Sequence, residues 1–125
     1  MTRYHTVFCS VCAVLLVLSC ACAGCTSSQN QAPAQGAITG TALILVKNFA
    51  FTPDVLTIKP GTKVTWTNQD GTTHQIGSDA GSSVAFSSDP LPDGASYQFT
   101  FSAPGTYTYH CLIHPSMTGT IVVQP

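Results

Sequence analysis

Residues 105–117, which read GTYTYHCLIHPSM, join a strand-like stretch to a group of side chains that bind metals. The first half alternates tyrosine with threonine, a period of two that is typical of a half-buried strand. The second half supplies a thiol, an imidazole and a thioether at Cys111, His114 and Met117, with two residues between each and the next. The run therefore predicts a strand that leads directly into a metal-binding loop.

A second imidazole lies 37 residues upstream of Cys111, at His74, just after the turn residues 68–71 (NQDG). The strands of a β-sandwich can bring two such distant loops together at one end. Two imidazoles and a thiolate, with a long and weak thioether contact, are the donors of a blue-copper electron-transfer site. We therefore predict one copper ion, cycling between Cu(II) and Cu(I), held by His74, Cys111, His114 and Met117.

The chain after residue 37 reads as short strands separated by turns such as Pro60-Gly61 and Pro104-Gly105. Strands are predicted at residues 38–46, 55–58, 63–67, 97–101, 106–109 and 119–123, with a shorter segment at 84–86. No window places apolar residues at helical spacing. The pattern predicts an all-β fold, a Greek-key sandwich or barrel of about seven to eight strands. The expected core residues are Ile44, Val46, Phe51, Leu56, Ile58, Val64, Trp66, Phe99, Phe101, Tyr107, Tyr109, Ile121 and Val123.

The first residues of the chain have the composition of an export signal. A short basic start at Arg3 is followed by residues 7–23, which are apolar or small and carry no charge. A retained membrane helix is the alternative, because about 18 apolar residues is the lower limit for a span. Residues 22–25 (CAGC) resemble a lipobox, which predicts a lipid anchor on Cys25. Ordinary secretion with cleavage after Ala23 is the competing outcome.

The domain organisation follows from these segments. We predict a signal peptide of the lipoprotein type at residues 1–24, a polar tether at 25–37 and one domain at 38–125. The tether is uncharged and poor in bulky side chains, so it cannot form a core of its own. The protein is therefore expected outside the cytoplasm, either lipid-anchored on the outer face of the cytoplasmic membrane or in the periplasmic or extracellular space.

The positions of the cysteines and the net charge of the domain reduce the number of possible functions. Of six cysteines, five lie in the leader or at its end, and the domain keeps only Cys111. A lone thiol in an oxidising compartment is a liability unless a metal or a reaction occupies it. The domain has three lysines and five aspartates, a net charge of about −2, so it lacks the basic surface that nucleic acid requires.

These motifs resemble the cupredoxins, in particular the group of plastocyanin, pseudoazurin and amicyanin. The resemblance spans residues 51–123, and its cues are residues 60–68 (PGTKVTWTN) and residues 105–117. It implies a type 1 copper centre in which the imidazole ligands are His74 and His114, the thiolate is Cys111 and the axial ligand is Met117. Many relatives have Asn directly after the first His, where it ties the two ligand loops together. Here that position is Gln75, which affects the tuning of the reduction potential.

The same resemblance implies a monomeric one-electron carrier with His114 as the electron port. The apolar residues expected around it are Leu112, Ile113 and Pro115, with Leu91 and Pro92. Redox proteins would dock there briefly and weakly, as electron-transfer partners do.

Other functions fit the sequence less well. A copper-binding module for storage or delivery would use the same ligands, and it remains the alternative. A copper enzyme needs further His-rich centres, whereas only His74, His110 and His114 follow the leader. His110 neighbours Cys111 in an extended segment, so its side chain is expected on the opposite face. Zinc is disfavoured because its sites prefer tetrahedral sets of Cys and His.

Overall fold

The computed structural model describes residues 36–125, and these residues form eight strands. The strands are β1 Thr41–Lys47, β2 Ala50–Thr52, β3 Val55–Ile58, β4 Thr62–Asn68, β5 Ile76–Ser78, β6 Ser96–Phe101, β7 Gly105–Cys111 and β8 Thr118–Val123. This part of the chain has no helix, and so none that could cross a membrane. The predicted signal peptide, the lipobox and most of the tether lie outside the described residues.

The strands form two four-stranded sheets, in the orders β2-β1-β4-β6 and β3-β8-β7-β5. β1 runs parallel to β4 and β3 parallel to β8, whereas the other neighbours are antiparallel. The predicted all-β sandwich is confirmed. β4 and β7 carry the two ligand loops at their ends, so the sheet topology decides where those loops meet.

The core fills the space between the sheets because alternate residues of each strand point inward. In β4, Val64 and Trp66 are fully buried, while Lys63 is exposed. The Trp66 ring packs on four other aromatic rings, those of Phe86, Tyr97, Phe101 and Tyr109. The predicted core residues are buried, with one exception. Phe99 is only half-buried, because β6 is an edge strand with one side uncovered.

Three details differ from the sequence prediction. The short strands β2 and β5 were not predicted, and residues 84–86 form no strand. Phe86 instead accepts a hydrogen bond from the Ser78 N–H at 2.9 Å, and Ser87 forms an isolated bridge with Gly77. The segment therefore lies along β5 without becoming a regular strand.

Candidate metal centre

Buried Asn68, the last residue of β4, organises the loop that carries His74. Its side-chain N–H groups donate to the carbonyl oxygens of Thr72 at 2.6 Å and Leu91 at 2.9 Å. Its side-chain oxygen accepts the Asp70 N–H at 3.0 Å. His74 then exchanges two backbone hydrogen bonds with Leu91, at 3.0 and 2.7 Å. The buried amide is satisfied in this way, and it holds the His74 loop to the end of β4 and to the backbone of Leu91.

Asp70 orients the His74 ring. The ring is fully buried, and its Nε2 lies 2.9 Å from Oδ2 of Asp70. The carboxylate also accepts the N–H groups of Phe49 at 2.8 Å and Asn48 at 2.9 Å. The Phe49 N–H, followed by the His74 ring and the Asn48 N–H, lowers the pKa of Asp70, so its carboxyl group stays charged at neutral pH. A carboxylate on one ring nitrogen keeps the proton there and leaves Nδ1 available for a metal.

The second loop joins β7 to β8 and is closed by two backbone hydrogen bonds. The N–H of Met117 donates to the carbonyl of His114 at 2.9 Å, and the N–H of Cys111 donates to the carbonyl of Met117 at 3.0 Å. A run of only five residues between Cys111 and Met117 is therefore folded into a compact turn. This turn directs the Cys111 and His114 side chains to the same side.

The three donor atoms form a nearly regular triangle. Nδ1 of His74 lies 3.2 Å from Nδ1 of His114, and Sγ of Cys111 lies 3.6 and 3.7 Å from these two nitrogens. The centre of such a triangle is about 2 Å from each corner, close to the length of a metal–imidazole bond. The structure thus brings together three of the four predicted ligands around one point.

Met117 lies buried in the same loop, with only 3% of its surface exposed. Met117 is the residue just before β8, and it belongs to the same cluster as His74, Cys111 and His114. A thioether is a weak donor, and Met117 would give a copper ion held by two imidazoles and a thiolate a weak fourth contact.

Gln75 occupies the position where many relatives have the Asn that ties the two ligand loops together. Its backbone N–H lies 3.5 Å from Sγ of Cys111, and its carbonyl accepts the Leu112 N–H at 2.8 Å. Its side chain points elsewhere and donates to the carbonyl of Ser88 at 3.0 Å. The backbone of Gln75 therefore ties the two ligand loops together, while its side chain fastens a third segment to the site.

His110 lies on the other face of β7 from Cys111. Its Nδ1 is 2.5 Å from Oδ1 of Asp79, and about a third of each side chain is exposed. His110, followed by Thr108, lowers the pKa of the Asp79 carboxyl group. This imidazole belongs to a hydrogen-bonded pair at the surface and contributes nothing to the donor triangle.

Exposed apolar residues are close in sequence or in space to the partly exposed His114. Leu112 and Ile113 are 43% and 45% exposed, and Phe49 is 55% exposed with its ring against the two imidazoles. Leu91, which the sequence assigned to this patch, is instead buried in the hydrophobic core, and its backbone pairs with that of His74. Sequence reasoning also missed Phe49 and Asp70, which lie in turns without a diagnostic spacing.

The chemistry of these donors fits copper. A trigonal set of two imidazoles and one thiolate with a weak thioether is the pattern of blue-copper sites. A buried thiol among imidazole nitrogens and a backbone N–H is also poorly explained as packing alone. Fold and site together define a class: a small β-sandwich protein with a single centre of the blue-copper type.

Comparison with known proteins gives the family. A family model described as a cupredoxin-like domain matches residues 12–123. Amicyanin-alpha of Methylorubrum extorquens is 33% identical over 104 residues, which cover 82% of this chain and 83% of that protein. A plastocyanin of Scenedesmus fuscus is 36% identical over 92 residues, covering 59% of this chain and 86% of the plastocyanin.

Solved structures agree with this result. The Cu(I) form of an amicyanin mutant matches with a TM-score of 0.64 and 30% identity, over 70% of this chain and 86% of that one. The chain belongs to the cupredoxin family. The resemblance inferred from residues 51–123 is therefore confirmed.

Proposed function

We propose that this protein is a one-electron carrier. One copper ion, bound by His74, Cys111, His114 and Met117, alternates between Cu(II) and Cu(I). The observation that supports the proposal best is the triangle of donor atoms, whose sides of 3.2, 3.6 and 3.7 Å leave room for one ion between three well-held side chains.

The surroundings of the donors suit electron transfer. His74 is fixed by Asp70, and the Cys111 loop is closed by backbone hydrogen bonds. Because the ligands have little freedom to move, a change of oxidation state would require little rearrangement. Imidazole and thiolate together accept both Cu(I) and Cu(II), so neither state is excluded.

The visible and electron-spin spectra of the copper(II)-loaded full-length protein test the proposal. A thiolate bound to copper(II) should give intense visible absorption, and Cys111→Ala should abolish it while the fold is kept. His110→Ala is the matched control, since it removes an imidazole next to Cys111 that lies on the opposite face of β7. Absorption that persists without Cys111, or that disappears with His110, would refute the ligand set.

A module for copper storage or delivery is the competing function. It would exchange copper quickly with a chelator and transfer electrons slowly between its own copies. The carrier has the opposite profile, because its donors are buried and pre-arranged. Measuring the copper-exchange rate and the electron self-exchange rate on one sample decides between the two.

The proposal also covers the docking site. Leu112 and Ile113, both nearly half exposed, directly precede His114 in the chain and offer an apolar surface for a redox protein. Contacts of this kind stay small and short-lived, which allows turnover. Replacing Ile113 with Lys should slow electron exchange with a redox partner while leaving the visible spectrum unchanged.

We do not propose an enzyme. A copper oxidase or reductase needs additional His-rich centres, and among residues 36–125 the third histidine, His110, pairs with Asp79 on the surface. The domain would instead work as a monomer that gives and receives single electrons.

The predicted location is part of the same proposal. A signal peptide at residues 1–24, a lipid on Cys25 and a tether to residue 37 would hold the domain on the outer face of the cytoplasmic membrane. Cys25→Ser should release the protein from membranes if Cys25 carries the lipid. Release of the wild-type protein into the soluble fraction would favour ordinary cleavage after Ala23.

A further inference from the structure

The turn between β1 and β2 contains an unexpected residue. Lys47 pairs with Ala50, so the hairpin loop consists of Asn48 and Phe49, whose φ angles are 54° and 55°. Two-residue turns with positive φ at both positions favour Asn first and Gly second. Asn48 follows this preference and Phe49 does not. A bulky residue at positive φ is strained, and such strain is often kept where it serves a function.

The Phe49 side chain lies against both imidazoles of the proposed copper site. The centroid of its ring is 5.6 Å from that of His74 and 5.1 Å from that of His114, with interplanar angles of 73° and 85°. These are edge-to-face contacts, the arrangement that aromatic rings favour. The other side of the ring faces solvent, because Phe49 is 55% exposed. One aromatic ring therefore separates both imidazoles from water on this side.

Asp70 fixes the ring in this position. Its carboxylate accepts the N–H groups of both turn residues, Asn48 and Phe49, and also faces Nε2 of His74. The turn that carries the aromatic ring and the loop that carries the first imidazole thus share one anchor. A hairpin without this anchor would leave the strained conformation of Phe49 unsupported.

We propose that Phe49 is a positioning residue, a lid that Asp70 holds over His74 and His114 and that slows the loss of copper. The inference rests on the proposed copper site and adds a role for a residue that donates nothing to the metal. If Phe49 were only a turn residue, Gly would replace it without any effect on the copper site.

The test compares Phe49→Gly with Asn48→Gly in the full-length protein. Both changes place Gly in the same turn, and only the first removes the lid. Copper loss to excess EDTA is followed by the decay of the visible absorption. We expect Phe49→Gly to release copper about two- to tenfold faster, the range that one aromatic contact represents. Asn48→Gly should release copper at the wild-type rate.

A second measurement separates the lid from turn strain. The urea midpoint is determined for the metal-free and the copper-loaded forms of each variant. Strain in the turn affects both forms equally, so the rise caused by copper depends only on how well the metal is held. This rise should be smaller in Phe49→Gly and unchanged in Asn48→Gly. Phe49→Leu, which keeps an apolar cover, should restore most of it.

Each remaining outcome counts against the lid. Equal release rates and equal copper-dependent midpoints in Phe49→Gly and wild type would overturn it. The same acceleration in Asn48→Gly would assign the effect to the turn instead. A wild-type protein that shows no thiolate–copper absorption would refute the proposed copper site itself, a result distinct from a copper protein whose lid variants behave normally.

Discussion

Two of the proposed donors are oriented by hydrogen bonds to their side chains. His74 offers Nδ1 because Asp70 takes its Nε2, and the sulfur of Cys111 receives the backbone N–H of Gln75. A hydrogen bond to a thiolate draws away negative charge and so favours the reduced metal, whereas a carboxylate behind an imidazole increases its basicity. The balance between these two effects sets the reduction potential around the same four ligands.

Met117 is the donor whose identity can be changed with the least damage. We expect Met117→Gln to keep the metal and to lower the reduction potential, because an amide oxygen favours Cu(II) over Cu(I) more than a thioether does. A tenfold change in the relative affinity for the two states corresponds to about 59 mV, which voltammetry resolves easily. Met117→Leu, which removes the donor, should raise the potential. Identical potentials in all three proteins would exclude Met117 from the centre.

At this scale the sequence predicted the donors but not their supports. Cys, His and Met at a fixed short spacing are a rare combination, so their metal-binding role can be predicted without a structure. Asp70 had no such signature, because a carboxylate within a turn usually serves the turn itself. The role of Phe49 could not be predicted either, because nothing in a single aromatic residue after Asn48 indicates a positive φ.

Among the elements, the pair β7–β8 decides the position of the thiolate. The two strands are antiparallel, and Tyr109, two residues before Cys111, pairs with Gly119. A Cβ atom at Gly119 would lie 2.3 Å from Cζ of Tyr109. The ring is fully buried and packs on Phe51 and Trp66, so it has no free space to move into.

Gly119→Ala should therefore destabilise the protein by about 1–3 kcal/mol, the usual cost of overpacking a core. The measurement is the free energy of unfolding of the metal-free protein in urea. Gly36→Ala is the matched control, since a Cβ there meets no atom within 4 Å. A Gly119→Ala protein as stable as the control would mean that the Tyr109 ring can shift easily.

The longer strands could be predicted from the sequence, whereas the shortest ones could not. β4, β6 and β7 show a clear alternation, and their positions were predicted to within about two residues at either end. β2 and β5 have only three residues each, too few to establish a period of two. They become strands because β1 and β7 offer partners, a tertiary cause that no local pattern reveals.

The hydrophobic core and the proposed metal site occupy different parts of the domain. The aromatic core lies between the sheets, while the donors lie where the end of β4 meets the loop between β7 and β8. Asn68 and Asp70 hold the His74 loop, and the backbone of Gln75 joins that loop to the Cys111 loop, all through hydrogen bonds within the protein. The sequence predicted this sandwich from its turns and strands, but it could not show that two loops 37 residues apart converge to within a bond length of one point.

This separation predicts that copper stabilises the fold without creating it. Removing copper with a chelator should leave the far-UV circular dichroism of the sandwich unchanged, unlike small zinc domains that unfold without their metal. Adding copper back should raise the unfolding free energy by about 2.7 kcal/mol at a free copper concentration one hundred times the dissociation constant. Loss of sheet structure on chelation would mean that the ion, rather than the hydrogen bonds of Asn68, Asp70 and Gln75, holds the loops together. A folded metal-free form would instead mean that the protein prepares the donor geometry in advance, as a carrier with little rearrangement requires.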